Sequence, residues 1–177
     1  MPMFRNLIIS IGLSIVTTLA GADALQDAAA AVNRKDYPSA VRLLEPLARA
    51  GNPLAQSRLA LLYYHGHGVR ESDALALQWF ERAARQGLAE AQFHLGNMYA
   101  YGLAELPPDA DPQRLAAQWY FEAARQGHAD AQYSLGILFL TGSGVIQDAD
   151  EARKWIGRAA VQGHADAKAY LGSKPAQ

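Results

Sequence analysis

The chain has 177 residues, 16 Lys plus Arg against 17 Asp plus Glu, no Cys and a composition that is 50% hydrophobic, a length that fits one domain. A formal net charge of −1 leaves no broad basic field, so phosphate-backbone binding is a poor reading and no nucleic-acid partner is expected. The absence of Cys excludes disulfides, thiolate nucleophiles and Cys-ligated zinc, and 35 alanines point to closely packed helices rather than strands.

Met1 to Asn6 carry one Arg, Leu7 to Leu19 are largely apolar, and Ala20-Gly21-Ala22 or Ala22-Asp23-Ala24 supplies small residues at the spacing of a signal-peptidase site. Residues 1–22 therefore read as a secretory signal, and the chain is expected to be periplasmic or secreted. The rival reading is an uncleaved anchor, but about 16 residues between Asn6 and Asp23 fall short of the ~20 that a span requires. No stable membrane insertion is expected after cleavage. Residues 23–51 then read as an N-terminal capping helix pair, one helix near Ala24–Val32 and one from about Pro38, with Pro46 expected to interrupt and bend the second.

Downstream the sequence repeats itself. Residues 52–87 and 128–163 are aligned copies of 36 residues, and 88–127 is the same pattern at 40 residues. The extra four fall between Tyr99 and Trp119, in a stretch containing Leu106-Pro107-Pro108 that is expected to be a surface loop. Residues 164–177 begin a further copy that stops after half a unit, followed by a tail. Each unit reads as two helices. The first carries an apolar stripe of Ala55, Leu59, Ala60 and Tyr63, then Ala91, Leu95, Gly96 and Tyr99, then Ala131, Leu135, Gly136 and Phe139. The second carries Trp79, Ala83 and Ala84, then Trp119, Ala123 and Ala124, then Trp155, Ala159 and Ala160. Small residues at 60, 96 and 136 let helix backbones approach, and the Trp of the second helix is expected to fill the remaining volume. Gly66, Gly102 and Gly142 should end the first helices, and Gly87, Gly127 and Gly163 the second, each in a left-handed conformation. Asp111-Pro112, Asp148 with Glu151, and Ser72 stand where second helices should begin. A unit of this size cannot bury both faces alone, so stability must come from stacking.

The segments AEAQFHLGNMY (89–99) and GSGVIQDADEARKWIGRAAVQG (142–163), at this period, resemble the Sel-one-like repeat (SLR), a member of the tetratricopeptide (TPR) superfamily. The likeness runs from about Tyr37 to Leu171. It rests on an A-x-A-Q-aromatic-x-L-G helix, a G-x-G-V turn and a W-aromatic-x-x-A-A-x-x-G helix. The first copy departs with Ser57 and Ala60, the second has lost the G-x-G-V turn to its insert, and the third has Ile156 after its Trp. The resemblance implies an all-α fold, a right-handed α-solenoid of antiparallel helix pairs. It also implies that the first helices line a concave groove, which would place Ser57, Leu61, Tyr64 and His65, then Phe93, Asn97 and Tyr101, then Tyr133, Ile137 and Thr141 along a partner-binding surface.

Residues that could carry chemistry read as structural. His65-Gly66-His67 offers two imidazoles without a third ligand, and His128 and His164 recur at one repeat position, which repetition itself explains. Gly142-Ser143-Gly144 follows a helix, so it is a turn and not a nucleophile elbow. Glu81, Glu90, Glu122 and Asp130 are scattered over helix surfaces and caps. No metal, no cofactor and no enzymatic activity are expected. The leading functional reading is an exported protein-protein interaction module, an adaptor or assembly scaffold that binds a peptide or protein of the cell envelope in its groove. The alternatives are a glycan- or peptidoglycan-binding accessory protein and, less favoured, a cell-wall-related hydrolase.

Overall fold

The computed structural model describes residues 23–173, so the expected signal segment lies outside the described residues. Those residues form an all-α solenoid of antiparallel helix pairs, with no strand among them. The chain divides into two compact units after Ser72. The first holds α1 (23–33), α2 (Tyr37–Arg49) and α3 (Pro53–His65). The second holds α4 (Asp73–Arg85), α5 (Ala89–Ala100), α6 (Pro112–Arg125), α7 (Ala129–Thr141), α8 (Ala149–Val161) and α9 (Ala165–Gly172).

In the first unit α2 and α3 begin at side-chain caps. The Asp36 carboxylate accepts from the Ser39 N–H at 3.3 Å and the Asn52 amide oxygen from the Ala55 N–H at 3.0 Å, each satisfying an otherwise unpaired first-turn donor. Gly66, at φ +64°, ends α3 as its position implied. The expected interruption at Pro46 does not occur. α2 runs through it to Arg49, and the Ala50 N–H still donates to the Pro46 carbonyl at 3.0 Å. The helix gives up the one backbone bond that the missing Pro46 N–H would have made and continues for a further turn. Ala40, Leu44 and Ala48 of α2 and Ala55, Leu59, Ala60 and Leu62 of α3 form the core. The Arg58 guanidinium donates to the Leu25 carbonyl at 2.9 Å and ties α3 to α1.

In the second unit each helix packs on its neighbour in the chain, the connectivity of a repeat array. Asp111 accepts from the Gln113 and Arg114 amides, and Asp148 from those of Asp150 and Glu151, as the sequence implied. Gly87, Gly127 and Gly163 adopt φ of +88°, +92° and +100°. The insert spans a loop between α5 and α6 in which Pro107, Pro108 and Asp109 are exposed.

The packing against the small residues corrects the sequence expectation. Tyr120, not Trp119, lies on Gly96, and Ile156, not Trp155, lies on Gly136. The side chain after each Trp shares the inward face with the alanines four residues before and three and four after it, so Ala116, Tyr120, Ala123 and Ala124 are buried together. Trp79 and Trp119 are only half-buried. Trp155 is buried, with the Arg158 guanidinium 4.4 Å above its ring, and Trp79 carries Arg82 in the same way at 4.5 Å.

A second feature had no role assigned from sequence. Gln56, Gln92 and Gln132, the Q of the repeated first-helix motif, are buried. Their amides donate to the carbonyls of Ala48, Ala84 and Ala124 at 3.0, 3.1 and 3.0 Å. The oxygens of Gln92 and Gln132 accept in turn from Gln126 and Gln162, both at 2.7 Å. Gln92 thus joins the end of α4, the start of α5 and the end of α6, pairing a buried amide while engaging a helix-end carbonyl.

Candidate interaction face

In the second unit the positions expected to face a partner recur every four residues along α5 and α7, so they share one side of each helix. Tyr101, just past the last turn of α5, is 72% exposed. Asn97 is half-buried, and its side-chain oxygen accepts from the Tyr120 hydroxyl at 2.7 Å. Burial, with a smaller contribution from nearby Tyr101, pushes the Tyr120 hydroxyl pKa well above the ordinary phenol value, so it stays a donor. Phe93 is half-buried and its ring is stacked on His128 at 4.7 Å. On α7, Tyr133 stacks on His164 at 4.6 Å, and Tyr133 and Ile137 pack against the buried cluster of Ile156, Ala159 and Ala167. Thr141 is exposed, with its hydroxyl 3.1 Å from the Ile137 carbonyl.

In the first unit Leu61 and Tyr64 are half-buried and His65 is exposed, the Tyr64 and His65 rings meeting edge to face at 5.0 Å. Ser57 departs from expectation. It is 1% exposed and its hydroxyl has no hydrogen-bond partner, so it belongs to the interior and not to a surface. Its place on the helix is that of Phe93 and Tyr133, but a side chain this short does not reach outward.

His128 and His164 have a structural role that sequence reasoning missed. Each caps a first helix, Nδ1 accepting from the Ala131 N–H at 3.3 Å and from the Ala167 N–H at 3.2 Å. The available signal was Asn52, which stands at the same repeat position and is an ordinary cap residue. His67 is stacked on Tyr37 at 4.2 Å. Among the described residues no group of three or more His, Cys, Asp or Glu is placed to hold a metal ion. Glu81 accepts from the Tyr99 hydroxyl at 3.3 Å and pairs with Arg85 at 3.2 Å, and Asp130 meets His164 Nε2 at 3.2 Å. Burial, reinforced by Glu81, raises the Tyr99 pKa. Among the described residues no helix is long and apolar enough to cross a membrane.

Helix pairs, glycine ends and buried glutamines recurring at one register define a repeat scaffold. The Sel1 repeat model matches residues 22–52, 53–88, 89–128 and 129–164, most of the chain, which therefore belongs to the Sel1 repeat family. The first of these matches takes in the N-terminal helix pair. Sel1 repeats are in general protein-interaction modules, typically non-catalytic scaffolds. A Sel1 repeat protein from Oxalobacter formigenes is 34% identical with a TM-score of 0.77, over 85% of this chain and 58% of its own length. A protective antigen present in uropathogenic Escherichia coli strains, displaying an SLR fold, is 35% identical with a TM-score of 0.71, over 77% of this chain and 29% of its own. This chain thus spans less than two thirds of either protein. Cysteine-rich protein B of Helicobacter pylori, 22% identical with a TM-score of 0.55 over 83% of this chain and 96% of its own, shares the fold. No curated protein matches the chain.

Proposed function

We propose that this protein is an exported interaction module, periplasmic or secreted, which serves as an adaptor or assembly scaffold by taking a peptide or protein of the cell envelope on its first-helix face. The observation that carries the reading is Tyr101, a ring 72% exposed at the end of α5 and on the same side as Asn97 and Phe93. Exposed aromatic anchors beside a polar group concentrate binding energy. Phe93, Tyr133 and Ile137 supply a half-buried floor, and Thr141 a polar edge. Leu61, Tyr64 and His65 offer further surface in the first unit. Support for export comes from the charged, apolar and small-residue order of residues 1–22 and from the likeness to a protective antigen. The reading assigns the protein no catalytic chemistry.

The test places a photo-crosslinking amino acid at Tyr101 in cells and identifies what is captured from the exported fraction, alongside a Tyr101→Ala variant. We expect an envelope protein, captured less well by the variant while melting is unchanged. Capture of glycan would favour the accessory reading, and capture unaffected by Tyr101→Ala would move the interface elsewhere.

A further inference from the structure

We propose that His128 is an acid-sensitive cap, whose protonation loosens the junction between α5 and α7. Three geometric facts converge on this imidazole. It follows Gly127, which turns the chain at φ +92°. Its Nδ1 accepts from the Ala131 N–H at 3.3 Å, and its ring lies on Phe93 of α5 with a 25° interplanar angle. One side chain therefore closes the start of α7 and fastens it to the helix two elements back.

A ring nitrogen accepts a hydrogen bond only when it carries no proton, so the cap requires the neutral imidazole with its hydrogen on Nε2. A second proton goes to Nδ1. It removes the acceptor, sets an N–H against the Ala131 N–H, and puts a positive charge at the positive end of the α7 dipole. The carboxylates of Glu90 on α5 and Asp130 on α7 act on the ring through their charge, and both favour the charged form. Asp130 is also held by His164 Nε2 at 3.2 Å, on the cap of α9. Phe93 brings two further titratable neighbours, His94 and Tyr120, against its own ring. Burial outweighs the carboxylates, so the His128 pKa lies below its ordinary value. With the folded-state pKa depressed, the unfolded chain binds the proton more readily. The stabilisation is then fully present above the ordinary value of about 6.5 and is lost as pH falls below it toward the folded-state pKa.

The fold contains its own control. Asn52 caps α3 with an amide oxygen, accepting from the Ala55 N–H at 3.0 Å, and an amide does not titrate in this range. His128→Asn should therefore keep the cap and remove the acid response. The device stands whether or not the first-helix face binds a partner.

The experiment is thermal unfolding of the full chain between about pH 7.5 and about pH 5, where histidine titrates and most carboxylates stay ionised. We expect the parent protein to lose about 2–4 °C more than His128→Asn over that interval, the size of one cap in a chain of this length. Identical pH dependence in the two proteins would overturn the proposal. Should the variant not fold, carbon and nitrogen chemical shifts of the His128 ring in the parent protein decide. The Nε2–H tautomer near neutrality, with protonation below the ordinary histidine range, supports the cap. The Nδ1–H tautomer, or titration at or above that range, overturns it.

Discussion

The backbone of Gly96 in α5 lies directly against the ring of Tyr120 in α6, so that a Cβ on Gly96 would sit 2.6 Å from two ring carbons. Tyr120 has little room to yield, being buried and hydrogen-bonded to Asn97 at 2.7 Å. Gly172 of α9 holds the same repeat position as Gly96 and Gly136, yet a Cβ there meets nothing within 4 Å. Gly96→Ala gains about 1 kcal/mol of helix propensity but overpacks the interface by ~1–3 kcal/mol. Gly172→Ala has only the gain. Denaturant melts should show the first variant at or below the parent in stability and the second at or above it.

The same contact ranks the aromatic residues of α6. Tyr120→Ala empties the space against Gly96 and strands the Asn97 oxygen, so a loss of about 3–5 kcal/mol is expected. Trp119 is half-exposed, and its truncation should cost less than half as much. Equal losses in paired melting curves would mean that Trp119 carries packing that its exposure does not reveal.

How much of this was legible in the sequence depended on what repetition could encode. The inward stripe of Ala91, Leu95 and Gly96 and the glycine helix ends were readable because each obeys a helical period or a left-handed requirement that a single sequence displays. The choice between Trp119 and Tyr120 was not. Adjacent aromatics differ by only 100° around a helix, and which one meets Gly96 depends on the rotation of α6 against α5. The Gln92 bridge was hidden for a related reason, because a polar residue in an apolar stripe shows no partner until the neighbouring helix end is in place. On the interaction face, the family resemblance placed both Tyr101 and Ser57 along the surface; Tyr101 is exposed there, but nothing in the resemblance showed that Ser57 is too short to reach it.

Gln92→Leu tests the bridge. The substitution keeps the volume but removes the donor to Ala84 and the acceptor for Gln126, at 3.1 and 2.7 Å. A loss of about 1–3 kcal/mol is expected for the unpaired buried groups. A variant as stable as the parent would show that the helix-end carbonyl needs no side-chain partner.

Ser57 should behave in the opposite way. Its buried hydroxyl has no hydrogen-bond partner, so Ser57→Ala removes an uncompensated polar group without opening a large cavity. Stability should rise by roughly 1 kcal/mol. A clear drop in melting temperature would show that the hydroxyl is satisfied in solution.

Gly144 is the second glycine of the turn between α7 and α8. Gly144 has φ +69°, and a Cβ on it would collide with the backbone carbonyl of Gln113 and the amide of Arg114 in the first turn of α6. Gly68 repeats the arrangement in the first unit, at φ +74° against Tyr37 and Pro38 of α2. A glycine at this place therefore lets the turn rest on the start of an earlier second helix. Gly102 separates the two contributions, because its φ is +68° but a Cβ there meets nothing within 4 Å. Gly102→Ala should cost only the left-handed strain, about 1–2 kcal/mol. Gly144→Ala carries the same strain plus a clash with backbone atoms, which cannot move aside as a flexible side chain can. Its loss should be at least twice as large in the same melting assay. If the two variants melt together, the turn does not rest on α6 in solution.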